Sequence, residues 1–295
     1  MRRTFEDILK ECNIDIDLEY QKLYQLFTNK NIEIYKSTNS YGWNITSSYS
    51  LRDIIKKYFK IYKFTETCIT LDEFDRKHEI NFENNPKNID IDYLVSFCEY
   101  LYNFLKPLQD NNLHKSINVS SNIQFTIEQI KKVIDLIGYT ESKRKSSNGY
   151  ITIIFVQKDE NVIAVATSKY ISEDMSYKIF NYLHKSMKGN IEGKREILLS
   201  LGRTLEQKRK ILKEMNNKFD DYLFYLLNNM NIRHNNIDKD DMKKYKKYLE
   251  EMGEKKLEEW YDKIYRMCLL AIMLLEQKDR NIEIEELKKK MGDCK

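Results

Sequence analysis

The sequence predicts a mainly α protein, a helical bundle carrying one small β-hairpin insertion. Three observations lead there. Only 8 glycines and 2 prolines interrupt 295 residues, and these are the residues that most disfavour helix interiors. Apolar residues recur at spacings of three, four and seven, the stripe of one helix face. One stretch, Tyr150-Ile151-Thr152-Ile153-Ile154-Phe155-Val156, is instead a continuous β-branched and aromatic run.

Composition narrows the class. Hydrophobic residues make up 41% and charged residues 33%, which describes a soluble globular chain and not a disordered one. The net charge of +4 is too small to imply nucleic acid by itself. Five cysteines (Cys12, Cys68, Cys98, Cys268, Cys294) include no CxxC pair. An odd, scattered set argues against a disulfide framework and a zinc site, and for reduced thiols in the cytoplasm. The N-terminus turns acidic at Glu6-Asp7 before any apolar run, so it reads as no signal peptide. Met267 to Leu275, the longest strongly apolar run, is far shorter than the roughly 20 residues that span a bilayer. No Gly-rich phosphate loop and no repeat is present, so no cofactor and no metal is expected.

The elements follow in order. Phe5, Ile8, Leu9 and Cys12 mark one short helix; Leu18, Leu23, Leu26 and Phe27 mark the next. Ile32 and Ile34 start a short strand, and Tyr41-Gly42-Trp43-Asn44 is a loop. Ser50 caps a helix carrying Leu51, Ile54, Ile55, Tyr58, Phe59 and Tyr62. Thr70 and Glu73 have capping-box spacing. Asp75 and His78 share a face there, but nothing supplies the further ligands a metal needs. Asn81 to Asn88 is a turn-rich linker. Asp90 or Asp92 opens a helix through Leu94, Val95, Cys98, Leu101, Tyr102 and Leu105 that Pro107 ends. Residues 109 to 122, with His114, read as a loop. Thr126 caps a helix to Ile137, and Gly138 closes it.

The β run at Tyr150–Val156 is expected to turn at Lys158-Asp159-Glu160-Asn161 and return through Val162-Ile163-Ala164-Val165-Ala166-Thr167. Ser172 caps a helix with Met175, Ile179, Phe180, Leu183 and Met187. His184 beside it reads as packed or half-exposed. Gly189 and Gly193 bracket a turn, and Gly202 is a kink or join. Leu205, Leu212, Met215, Phe219, Tyr222, Leu223, Leu226, Leu227 and Met230 then read as one long helix. After a polar bend, Asp240 and Asp241 offer N-cap chemistry for another. Leu257 to Leu275 is the most apolar helix, central to a bundle or buried between subunits. Ile282, Ile284, Leu287 and Met291 suggest a final short helix. The expected organisation is an N-terminal helical region (1–120), a helix plus hairpin (121–170) and a C-terminal bundle (171–295).

The polar bend, Asn228-Asn229-Met230-Asn231-Ile232-Arg233-His234-Asn235-Asn236, is the candidate site. It gathers an imidazole, a guanidinium and five amides within nine residues. An imidazole exchanges a proton near neutrality, and a guanidinium forks onto phosphate. Together they suit attack of a ribose 2′-hydroxyl on its own phosphate without a metal. The same residues equally suit a helix end, where asparagines cap turns and Arg233 bonds the last carbonyls. Lys185 to Lys213 holds nine basic residues against three acidic ones. Lys194, Arg195, Lys208, Arg209 and Lys210, with Lys143-Arg144-Lys145, are candidate nucleic-acid contacts; solvated helix faces are the alternative.

Two long helices joined by such a cluster resemble the HEPN superfamily, over the stretch from about Leu223 to Leu275. The segments Ile232-Arg233-His234-Asn235-Asn236, Leu257-Glu258-Glu259-Trp260-Tyr261 and Leu269-Leu270-Ala271 are also similar to bacterial abortive-infection-type proteins. The resemblance implies an HEPN-like bundle, commonly dimeric, acting as a metal-independent endoribonuclease on RNA (tRNA among the candidates) in antiphage defence. It makes Arg233 the phosphate clamp and His234 the acid/base, with Asn229 and Asn235 orienting. It also implies a homodimer and a regulatory partner protein, the residues before about 170 sensing or restraining. The family places its His several residues beyond the Arg. Here the two are adjacent, about 100° apart on a helix, and converge only through a bend or from two subunits. A non-catalytic helical interaction module, or a nucleotide- or nucleic-acid-binding regulatory module, is the alternative function.

Overall fold

A computed structural model describes residues 14–37, 44–87, 89–111, 117–146 and 148–291. The expected helix at Phe5–Cys12, the Tyr41-Gly42-Trp43 loop and His114 lie outside them. The described residues are mainly helical, with two small two-stranded sheets. They form two compact units, 1–155 and 156–295; the division falls inside the segment 121–170.

The first unit contains α1 (Ile16–Thr28), β1 (Ile32–Ser37), β2 (Asn44–Tyr49), α2 (Leu51–Lys57), α3 (Leu71–Lys77), α4 (Ile91–Asp110), α5 (Ile117–Leu136), β3 (Tyr139–Lys145) and most of β4 (Ile151–Gln157). β1 and β2 pair antiparallel, with Ile32 opposite Tyr49, so Asn44 begins a strand instead of closing a loop. Asp15, Ser50, Thr70 and Asp90 each accept a backbone N–H at a helix start. Ser50 and Asp53 do so reciprocally, which satisfies two orphan donors at once. α4 is the axis. Phe97, Tyr100 and Phe104 on its buried face meet Tyr20, Phe27, Phe59 and Phe74 in offset and edge-on ring contacts.

Three expectations shift here. The helix after Ser50 stops at Lys57 and continues as two 3₁₀ turns, Phe59–Ile61 and Lys63–Thr65. Pro107 sits inside the last turn of α4, which runs on to Asp110; Asn111 closes that end by giving its backbone N–H and its side-chain amide to the Pro107 carbonyl. Thr126 is no cap. It is buried within α5, its hydroxyl bonded to the Asn122 carbonyl at 2.8 Å, so the helix begins nine residues earlier. Gly138, at φ +79°, ends the helix as expected.

The hairpin forms with a different partner. β4 pairs with β3, upstream, and Val162–Thr167 lies in the helix α6 (Lys158–Ser168). The free edge of β4 is already occupied: Asn103 of α4 donates to the Ile153 carbonyl and accepts its N–H, both at 2.8 Å, and Glu99 accepts the Phe155 N–H at 2.7 Å. That edge of β4 is thereby closed to a returning strand. In α6 the small and polar Asn161, Ala164 and Thr167 turn inward, while Val162, Ile163 and Val165 face out.

The second unit continues with α7 (Glu173–Tyr182), α8 (Ile191–Glu206), α9 (Arg209–Met215), α10 (Asn217–Asn229), α11 (Lys247–Glu251) and α12 (Glu254–Met291). Ser172 caps α7 as expected. The expected single helix to Met230 is three helices. It breaks at Gln207-Lys208 and again at Asn216, whose side chain accepts the Phe219 N–H to start α10. Gly202 is not a kink. It lies buried within α8, where an added Cβ would stand 3.4 Å from Leu227 of α10. Gly193 lies in the first turn of α8, tight against the capping Asn190. Asp241 opens a single turn that receives the Lys244 and Tyr245 N–H groups, and no helix starts there.

α12 is the spine. Its 38 residues absorb the expected final short helix. Tyr261, Ile264, Tyr265, Cys268, Leu269, Ile272 and Leu275 are buried against α6, α8, α9 and α10, and burial pushes the Cys268 thiol up to about 12. Neighbouring leucines on this helix separate burial from composition. Leu269 is 1% exposed and Leu270 46%. Leu269→Ala is expected to cost about 2–5 kcal/mol and Leu270→Ala within about 0.5 kcal/mol, as urea unfolding will show.

Candidate functional site

The bend from Met230 to Lys246 is non-helical, so the turn that adjacent Arg233 and His234 require is present. It is held by a reciprocal asparagine pair. Asn231, at φ +56°, gives its N–H to the Asn236 side chain at 2.9 Å and receives the Asn236 N–H at 3.0 Å. Asparagine tolerates this left-handed backbone better than most residues. Asn236 is 1% exposed; its amide also reaches the Lys244 carbonyl, and its carbonyl accepts the Lys246 N–H. Arg195 of α8 clamps the Asn231 carbonyl at 2.5 Å. Ile232 is fully buried beneath the loop.

Arg233 is fastened from three sides. Its N–H bonds the Leu227 carbonyl at 3.1 Å, capping α10. Its guanidinium lies 2.5 Å from Glu206 Oε2 and 3.2 Å from Asn228 Oδ1. Glu206 also faces Arg209 at 3.8 Å, and Arg209 reaches the fully buried Asp220 at 3.2 Å while stacking over Phe224. Two acids and two arginines thus alternate where α8, α9 and α10 meet. His234 is half-buried, and its ring has no hydrogen-bond or ion-pair partner among the described residues. Asn229 turns its amide back onto the Tyr225 carbonyl of its own helix. Asn235 is exposed.

The candidate basic residues divide. Lys194 is buried, 2.8 Å from Glu258 and 2.6 Å from Asp262, above the Tyr182 ring. Tyr182 in turn donates to Asp262 at 3.0 Å and stacks on Tyr265. Arg195 pairs with Glu192. Lys194, Arg195 and Arg209 are therefore neutralised within the unit. Lys208 and Lys210 are exposed. Lys143, Arg144 and Lys145 lie on β3 of the first unit, Arg144 half-buried. His184 is buried, its Nδ1 2.7 Å from Ser186 Oγ, as a packed histidine should be.

Sequence reasoning missed the acids. Glu206 is 27 positions from Arg233, and no local spacing signals such a pair. Asp220 falls inside what reads as one long helix, and nothing in its spacing marks it as buried. The first unit holds a second charged cluster: Arg52 meets Asp75 at 2.6 Å and Asp72 at 3.0 Å, and Tyr100 donates to Asp75 at 2.9 Å, on a cleft of about 580 Å³. Among the described residues no group of acids, histidines or cysteines could hold a metal ion, and no helix is long and apolar enough to cross a membrane.

No protein-family model, curated protein or solved structure matches the chain. The functional reading therefore rests on the geometry.

The Lys194 cluster has a pH signature. Burial raises the Glu258 carboxyl, but the bonds from Lys194 and the Gly189 N–H outweigh this and hold it below its ordinary value. A group depressed in the folded state contributes stability above its unfolded value, and loses it as pH falls through the folded one. Unfolding free energy should therefore fall with acidification below about pH 4.5. The Lys194→Met variant should show a shallower slope there in denaturant titrations between pH 3 and 6.

Proposed function

We propose that the chain is a helical interaction module in which the Asn228–Asn236 bend is an internal lock and not a reaction centre. The Glu206–Arg233 ion pair carries this reading. A guanidinium already neutralised at 2.5 Å and bonded to Asn228 presents little unmet charge to a phosphate. Lys194, Arg195 and Arg209 are satisfied in the same way. The two asparagines that do the most, Asn231 and Asn236, bond each other's backbone.

A second reading keeps one observation in its favour. His234 is half-exposed at a true bend, its ring without an intramolecular partner among the described residues, as an acid/base group awaiting a substrate would be. Under it the chain is a metal-independent endoribonuclease of antiphage defence acting on RNA, with Arg233 restrained by Glu206 until a trigger or partner acts. Opening that pair would then release the clamp.

A double-mutant cycle separates the two. Under the lock reading Glu206→Gln and Arg233→Ala each destabilise. Their coupling in urea unfolding should be about 0.5–1 kcal/mol, modest because both side chains keep contact with water. A cycle with no coupling, together with RNA cleavage that rises in Glu206→Gln, would transfer the argument to the ribonuclease.

A further inference from the structure

α12 runs beyond the body it supports. Between Leu275 and Met291 no side chain is buried, and every residue from Asp279 to Met291 is exposed. Thirteen helical residues extend about 20 Å. An isolated helix of this length is marginal in water, and a solvated one has no use for an apolar stripe.

A stripe is nevertheless present. Leu270, Met273, Gln277, Arg280, Ile284, Leu287 and Met291 follow alternating spacings of three and four. At about 100° per residue this line lies opposite the face that Ile264, Cys268 and Leu275 bury. All seven are exposed, Ile284, Leu287 and Met291 at 45, 51 and 67%. Gln277 and Arg280 interrupt it, and Arg280 also contacts Tyr170 and Glu276. The distal patch of Ile284, Leu287 and Met291 is thereby set apart, with Ile282 off the line.

The charges flanking that patch are ordered. Glu283, Glu285 and Glu286 come first; Lys288, Lys289 and Lys290 follow. The lysines complement the helix's own C-terminus, and Lys288 bonds Glu285 at 2.7 Å. Against a second copy the order has a further consequence. A parallel copy sets like charge beside like. An antiparallel copy lays the lysine end of each helix along the glutamate end of the other, with Ile284 over the partner's Leu287 and Glu283 near the partner's Lys290. A polar interruption beside an apolar seam is also what selects one register among several.

We infer that the distal half of α12 is a self-association surface that pairs antiparallel with the same segment of a second copy. This names the partner of the interaction module and rests on that reading. The overlap is about 12 residues, roughly 18 Å, so the pairing is a reversible, concentration-dependent dimer.

Sedimentation equilibrium on the full chain tests it over a range of concentrations. Wild type should pass from monomer to dimer. Ile284→Glu with Leu287→Glu, both on exposed positions, should weaken association at least tenfold while circular dichroism stays unchanged. Glu283→Lys should weaken it by setting lysine against Lys290, and adding Lys290→Glu should restore it. A chain that stays monomeric throughout, or a dimer indifferent to the Ile284/Leu287 pair, overturns the surface. Failure of the charge swap to restore association overturns the antiparallel pairing. None of these outcomes touches the Glu206–Arg233 coupling, so the dimer and the lock fail separately.

Discussion

The second unit depends on neutralising acids that its own helix breaks bury. Asp220 is wholly inside, and an uncompensated carboxylate there would be far more costly than any single apolar contact is worth. Arg209 answers it from the first turn of α9, which explains why the chain breaks where it does. A continuous helix from Arg203 to Met230 would carry Arg209 and Asp220 on one rigid rod, eleven residues or about 16 Å apart. Folding the rod at Gln207-Lys208 and at Asn216 brings them together. It also turns Glu206 toward Arg233, so one chain of alternating charge spans α8, α9, α10 and the bend.

The same requirement explains the fate of the basic residues. Lys194 sits in a helix face that α12 covers, so its buried ammonium would be uncompensated unless Glu258 and Asp262 met it, and they do. The net stability of such pairs is small beside that of apolar burial, whereas removing one partner and leaving the other buried is costly. The apolar burial comes from α12, whose inward face is continuous from Tyr261 to Leu275. In the first unit α4 plays the corresponding part, with a cluster of rings beside its buried leucines.

Much of this was legible locally. Ser50, Thr70, Asp90 and Ser172 cap helices where their spacing to the following residues says they should. The strand at Ile32 and the turn at Gly138 were readable for the same reason: a short-range rule decides them. What was not legible depends on distant partners. Val162–Thr167 reads as a strand until Asn103 and Glu99 take the edge it would have used. Thr126 has cap chemistry, but its hydroxyl finds a carbonyl one turn back inside α5. The cluster at Asn228–Asn236 was legible as a bend and as a concentration of polar groups. Its role was not, because Glu206 reaches Arg233 only after two helix breaks that periodicity passes over.

On the proposed reading the bend holds the fold together and performs no chemistry. The most direct test is incubation of the full chain with a mixed RNA and tRNA pool in EDTA, beside its His234→Ala variant. The lock predicts intact RNA in both. Products with 2′,3′-cyclic phosphate ends, made by wild type and absent from a folded His234→Ala protein, would contradict it.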